Sequence, residues 1–112
     1  MKIAKYNDFF RMYIRSVREV DGLSQLREEE ASIWVNCYLF EEQIDAASFF
    51  IQKAAQMKNY LEGKIYYGQQ GETEAVYSRI EFLESLKKGS NNLTIKKECE
   101  KKLKMWHESK FF

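Results

Sequence analysis

The sequence predicts an all-α domain, an irregular antiparallel bundle of four or five helices with one long central stretch. Three observations carry that expectation. Residues 26–67, taken at alternating steps of four and three, give Leu26, Glu30, Ile33, Cys37, Phe40, Ile44, Ala47, Ile51, Ala54, Lys58, Leu61 and Ile65. Ten of these twelve positions are apolar, which is the seam of a helix lying against other helices. The 112 residues contain no proline, so Gly, Asn, Asp and Ser must do the punctuating. Strand-like alternation is nearly absent, and the whole length reads as a single helical domain.

The first helix is expected from Asn7 or Asp8 to Val20. Its apolar face would be Tyr6, Phe9, Phe10, Tyr13, Ile14, Val17 and Val20, and Asp21-Gly22 would end it. Arg11, Arg15 and Arg18 then share the opposite side. Ser24 is placed to N-cap the next helix, and Glu28, Glu29 and Glu30 suit the positive end of its dipole.

From there the long stretch raises a question of size. Forty-two helical residues would reach about 63 Å, against a diameter of about 35 Å for a domain of this length. Two outcomes follow. Either the helix breaks at Glu41–Asp45, with Asp45 capping a new one, or it continues and needs a partner to cover its overhang. The second apolar stripe of Trp34 and Tyr38 stops at that point and resumes at Phe49, Phe50, Met57 and Tyr60, which favours a break. The heptad phase runs through it, which favours continuity.

Gly63 is a candidate stop, and Gly68-Gln69-Gln70-Gly71 reads as a loop. The following helix, with Thr73 as N-cap, would bury Val76, Tyr77, Ile80, Leu83 and Leu86. Lys87 and Lys88 suit its negative end, and Gly89 ends it. After the Ser90-Asn91-Asn92 loop, a last helix from Thr94 to Ser109 presents Ile95, Cys99, Leu103 and Trp106 on one face. Lys97, Lys101 and Lys104 fall together on the other.

Composition narrows the function classes. Hydrophobic content of 45% and charged content of 31% belong to a globular chain, not a disordered one. No apolar run approaches the roughly 18–20 residues that cross a bilayer, and the N-terminus has no signal-peptide character, so a cytoplasmic protein without membrane contact is expected. Cys37 and Cys99 make no metal or redox motif; both lie on apolar stripes and are expected reduced and buried. Net charge is +1 overall, yet residues 24–62 carry −4 and residues 63–112 carry +3, so segments of opposite sign can pair.

Chemistry-bearing patterns are missing. His107 is the single histidine, and Cys99 lies about 12 Å away along the same helix, too far for a Cys-His pair. Glu-x-x-His does not occur, and Gly68 and Gly71 lack the context of a phosphate cradle. No catalytic residue, cofactor or metal is therefore assigned.

The expected function is a non-enzymatic protein-interaction or assembly module, associating with itself through the 26–67 seam. Its interface residues would be Trp34, Tyr38, Phe49, Phe50, Tyr60, Tyr66, Tyr67, Phe111 and Phe112, more aromatic surface than one small bundle hides. The alternative is a small nucleic-acid-binding accessory or regulatory protein, with Arg11, Arg15, Arg18, Lys97, Lys101 and Lys104 against phosphates. Abundant Lys, Asn, Tyr and Phe with no Pro suggest an AT-rich bacterial or phage genome.

Overall fold

In the computed structural model, which describes residues 3–108 and the side chains from Lys5 onward, helix α1 (Ile3–Tyr13) opens the chain. It buries Tyr6 and packs Phe9, Phe10 and Tyr13, the face its spacing predicts. It begins before Asn7 and stops seven residues short of Val20. After Ile14 donates to Phe10 O at 2.8 Å, Arg15 N–H turns to Ala31 O at 2.7 Å and the chain becomes strand β1 (Ser16–Glu19). Ile14, Val17 and Val20 are β-branched. Their spacing fits a helix, but their stiff χ1 also suits a pleated surface, and here the sheet wins.

Two further short strands, β2 (Gln25–Arg27) and β3 (Ser32–Val35), complete a sheet of order β1-β3-β2. The β1–β3 pairing is parallel, with Val17 opposite Ile33 and Arg18 opposite Trp34. The β2–β3 pairing is antiparallel, with Leu26 opposite Ile33 and Gln25 opposite Trp34. The expectation of an all-α chain is thus corrected: a mostly helical chain carries a small mixed sheet. Residues 26–41 are not helical seam at all. Glu28–Glu30 form one 3₁₀ turn instead of the start of a long helix, and Cys37–Glu41 form another. Ser24, expected as an N-cap, accepts the Asn36 N–H at 2.9 Å. Asn36 in turn donates to Asp21 O and Gly22 O, both at 2.9 Å, and accepts from Tyr38 N–H, so one amide side chain ties two turns together.

Helix α2 (Gln43–Leu61) begins inside the Glu41–Asp45 window, so the break is the outcome that holds. Asp45 does not cap it; its carboxylate faces another helix. The end of α2 is a Schellman motif. Lys64 N–H reaches Asn59 O at 2.8 Å, Gly63 N–H reaches Tyr60 O at 3.2 Å, and Gly63 takes φ +71° as the left-handed position requires. Helix α3 (Gly68–Gly89) starts earlier than expected and absorbs the predicted glycine loop. Thr73 lies inside it, its hydroxyl donating to Gln69 O at 2.6 Å. Helix α4 (Leu93–Glu108) is capped by Asn92, whose Oδ1 accepts from Thr94 and Ile95 N–H.

α2 is buried on two sides. Ala54 and Met57 meet Ile14, Ile33 and Val35 of the sheet layer. Ile51 meets Tyr6, Val76, Ile80, Phe82, Leu83, Cys99 and Leu103 on the helical side. The predicted faces of α3 and α4 hold, except that Tyr77 is exposed. Cys99 is buried as expected and Cys37 is not. At 22 residues α3 is the longest helix, about 33 Å, and fits within the 39 Å long axis, so none overhangs. No helix among the described residues is long and apolar enough to cross a membrane.

Candidate interaction surfaces

The α2–α3 corner gathers the largest group of the predicted interface aromatics. Tyr60 ends α2, Tyr66 and Tyr67 precede α3, and the Schellman turn folds them together. The Tyr66 ring stands edge-on to Tyr60 at 5.2 Å and to Tyr67 at 5.0 Å. Leu61 and Ile65 complete the patch. Exposure is 67% for Tyr67, 60% for Leu61, 50% for Ile65 and 37% for Tyr60, so four large apolar side chains face solvent on one short bend.

Polar bonds hold this bend rigidly from beneath. Gln56 Nε2 donates to Tyr66 O and to Glu72 Oε1, both at 2.9 Å. The Tyr66 hydroxyl donates to Glu28 Oε1 at 3.4 Å, and burial with the Glu28 charge raises its pKa. Gly71 lies so close to the Tyr66 backbone that a Cβ there would meet Tyr66 C, with Cα at 2.8 Å.

The other predicted residues lie elsewhere. Phe49 and Phe50 are half-buried and pack on the sheet-side core, Phe50 5.7 Å from Phe10 and 6.1 Å from Phe40. They are chiefly core, not surface. Tyr38 is exposed on the 3₁₀ turn after β3. Trp34 lies on the outer face of the sheet, half-buried between Arg27 at 4.4 Å and Arg18 at 5.7 Å. Phe111 and Phe112 lie outside the described residues. The basic sets divide. Arg11 is on α1, Arg15 on the connection and Arg18 on β1, so the expected single helix face does not exist. Lys97, Lys101 and Lys104 remain together, exposed, on α4.

No family model matches the chain, and it finds no match among curated proteins or solved structures.

A buried polar chain between α2 and α3 was not anticipated. Arg79, 6% exposed, donates from Nε to Ser48 Oγ at 2.8 Å, from Nη1 to Gln52 Oε1 at 2.8 Å, and from Nη2 to Asp45 Oδ1 at 2.7 Å. Gln52 Nε2 passes the chain to Glu72 Oε2 at 3.1 Å, and Lys53 Nζ donates to Gln56 Oε1 at 3.0 Å. Partners on α2 rise from 45 to 56 as those on α3 fall from 79 to 72, so the two helices run antiparallel. Burial lowers the pKa of both Arg79 and Lys53, opposed for Arg79 by Asp45 and for Lys53 by Glu72. The signal was present in sequence: Asp45, Ser48, Gln52 and Gln56 are spaced 3, 4 and 4, a polar stripe beside the apolar seam. Every member is bonded, and no group of three or more metal-ligating side chains stands among the described residues. This arrangement fixes helix register; it does not resemble an acid–base site. Between α1, α2 and α3 an open groove of about 470 Å³ is lined by Tyr6, Lys58, Glu74 and Glu81 among others. Its Tyr6 hydroxyl is bonded to Glu81 at 3.2 Å and Ser85 at 3.1 Å.

Proposed function

We propose that this chain is a non-enzymatic protein-interaction module that docks an apolar surface of a protein, a second copy of itself included, on the α2–α3 corner. The observation that supports this is the exposed cluster of Tyr60, Leu61, Ile65 and Tyr67. Tyrosines are suited to the role, since they bring large contact area with few rotors to freeze and a hydroxyl that tolerates water when the partner leaves. A preformed bend also lowers the ordering cost of binding. The seam proposed for self-association is reduced to its last turn and the residues that follow.

Native mass measurement of the purified protein tests the reading. The wild type is expected to carry a protein partner or a second copy, and Tyr60→Ser/Tyr67→Ser to lose the one held by the corner. A bare monomer at high micromolar concentration overturns it. Nucleic acid retained at low salt and shed steeply as salt rises would instead favour the alternative, with Lys97, Lys101 and Lys104 as contacts.

A further inference from the structure

Strand β3 is central in the sheet, and its residues alternate between two sides. Ile33 and Val35 turn inward, buried against α2. Ser32 and Trp34 turn outward. In register with Trp34 stand Arg18 of β1 and Gln25 of β2, and in register with Ser32 stand Ser16 and Arg27. The sheet thus collects these six residues on one outer face. None is acidic, and Ser16, Arg18 and Gln25 are exposed.

Trp34 has two guanidinium groups against its ring, Arg27 at 4.4 Å and Arg18 at 5.7 Å. Neither arginine has an ion-pair partner among the described residues. A guanidinium keeps its charge when stacked, so the face carries two uncompensated cations around one large aromatic ring. Two donors beneath them are orphaned. Arg27 Nε and Trp34 Nε1 are buried and, among the described residues, have no acceptor. Buried N–H groups normally find one. Among those residues the Arg27 side chain is held over the ring by stacking alone, so a flat group that fits the ring better can displace it.

We propose that this outer face binds single-stranded nucleic acid, with a base stacked on Trp34 in place of Arg27 and with Arg18 and Arg27 on successive phosphates. Both halves of a nucleotide are then matched, the flat base by the ring and the anion by the guanidinium groups. Lifting Arg27 off the ring gives its Nε a phosphate oxygen and opens Trp34 Nε1 to an acceptor on the strand. A duplex does not fit, because its bases are stacked on each other and present only their edges. The face measures about 13 by 10 Å, room for two or three nucleotides, so binding is modest, roughly 1–100 µM. Glu28–Glu30 follow β2 directly and repel a strand that runs on past Arg27, which directs its path across the sheet from β2 to β1.

This binding goes beyond the interaction reading and uses no residue of the tyrosine corner, so its failure leaves that reading standing. Nor does it use Lys97, Lys101 or Lys104 of α4. Fluorescence titration of the full chain with oligothymidylate and oligouridylate of about twelve nucleotides tests it, the two arms separating DNA from RNA. In Trp106→Phe, Trp34 is the sole tryptophan and should be quenched on binding. Two phosphate contacts predict a slope of log affinity against log salt of about −1.4, reduced to about −0.7 in Arg18→Gln. Trp34→Leu should weaken binding about ten-fold or more. Circular dichroism establishes that each variant is folded, and the exposed Arg18 position keeps the test decisive if Trp34→Leu unfolds. No binding at about 100 µM strand and low salt overturns the proposal. So does a duplex that binds as well, or an affinity and salt slope indifferent to Arg18→Gln. Loss of binding in Lys97→Gln/Lys101→Gln/Lys104→Gln, with Arg18→Gln silent, moves the nucleic acid to α4 and overturns it equally.

Discussion

Arg79 uses a buried guanidinium in the way its geometry allows. Its fork serves three residues of α2, and its face lies 4.6 Å from the Trp106 ring of α4. Three helices thus share one cation. Removing it leaves Asp45, Ser48 and Gln52 facing a dry gap, so Arg79→Met should cost about 3–5 kcal/mol in urea unfolding. Arg79→Lys should recover only part, because a single ammonium cannot reproduce the planar fork. A loss below about 1 kcal/mol would mean the chain of bonds is idle. Lys53 is a second, half-buried cation on the same side of α2. Its folded pKa lies below the ordinary 10.5, chiefly from burial, so between the two values the unfolded chain binds a proton that the folded chain has released. Stability should therefore rise with pH as that window is crossed, with the full penalty present below it. Unfolding free energies at pH 7 and pH 10 should differ more for wild type than for Lys53→Met; equal slopes refute the assignment.

At the scale of the element, α3 depends on the lack of a side chain at Gly71. A methyl group there drives into the Tyr66 backbone, which cannot swing aside as a side chain could. Gly71→Ala should lower stability by about 1–3 kcal/mol and displace the tyrosine bend, seen as a drop in melting temperature with altered near-ultraviolet dichroism. An unchanged melt would show that the bend yields freely. Elements differed in how far the sequence disclosed them. The face of α4 and the stop at Gly63 were legible because helical spacing and a left-handed glycine are local signals. The strands were not, being three or four residues long, shorter than any window that separates a period of 2.0 from 3.6. Ile33 and Val35 alternate, but Ile33 also falls in phase with Leu26 and Cys37 by coincidence. The same coincidence aligned Arg11, Arg15 and Arg18. The glycine loop failed for another reason: Gly71 is required by a close approach, not by a turn, and sequence does not distinguish the two.

For the whole molecule, the uneven charge noted in the sequence becomes architecture. The acidic middle segment meets the basic C-terminal one at Asp45–Arg79 and at Glu42–Lys102, 2.7 and 2.8 Å apart. The Glu42 pKa is lowered by its bond to Lys102. Among the aromatics expected at an interface, Tyr60 and Tyr67 are exposed and Tyr66 is half-buried, while Phe49 and Phe50 pack on the core because α2 faces two core layers and has little outside left. The exposed Cys37 bears on every mass measurement described above. It stands in the turn between β3 and α2, while burial keeps Cys99 out of reach with its thiol pKa raised. Air oxidation would couple two chains through Cys37 and counterfeit a dimer, so association must be weighed in reductant. By the same asymmetry, a thiol-reactive dye added to the folded wild type should enter at a single place, beside the sheet, with no cysteine engineered.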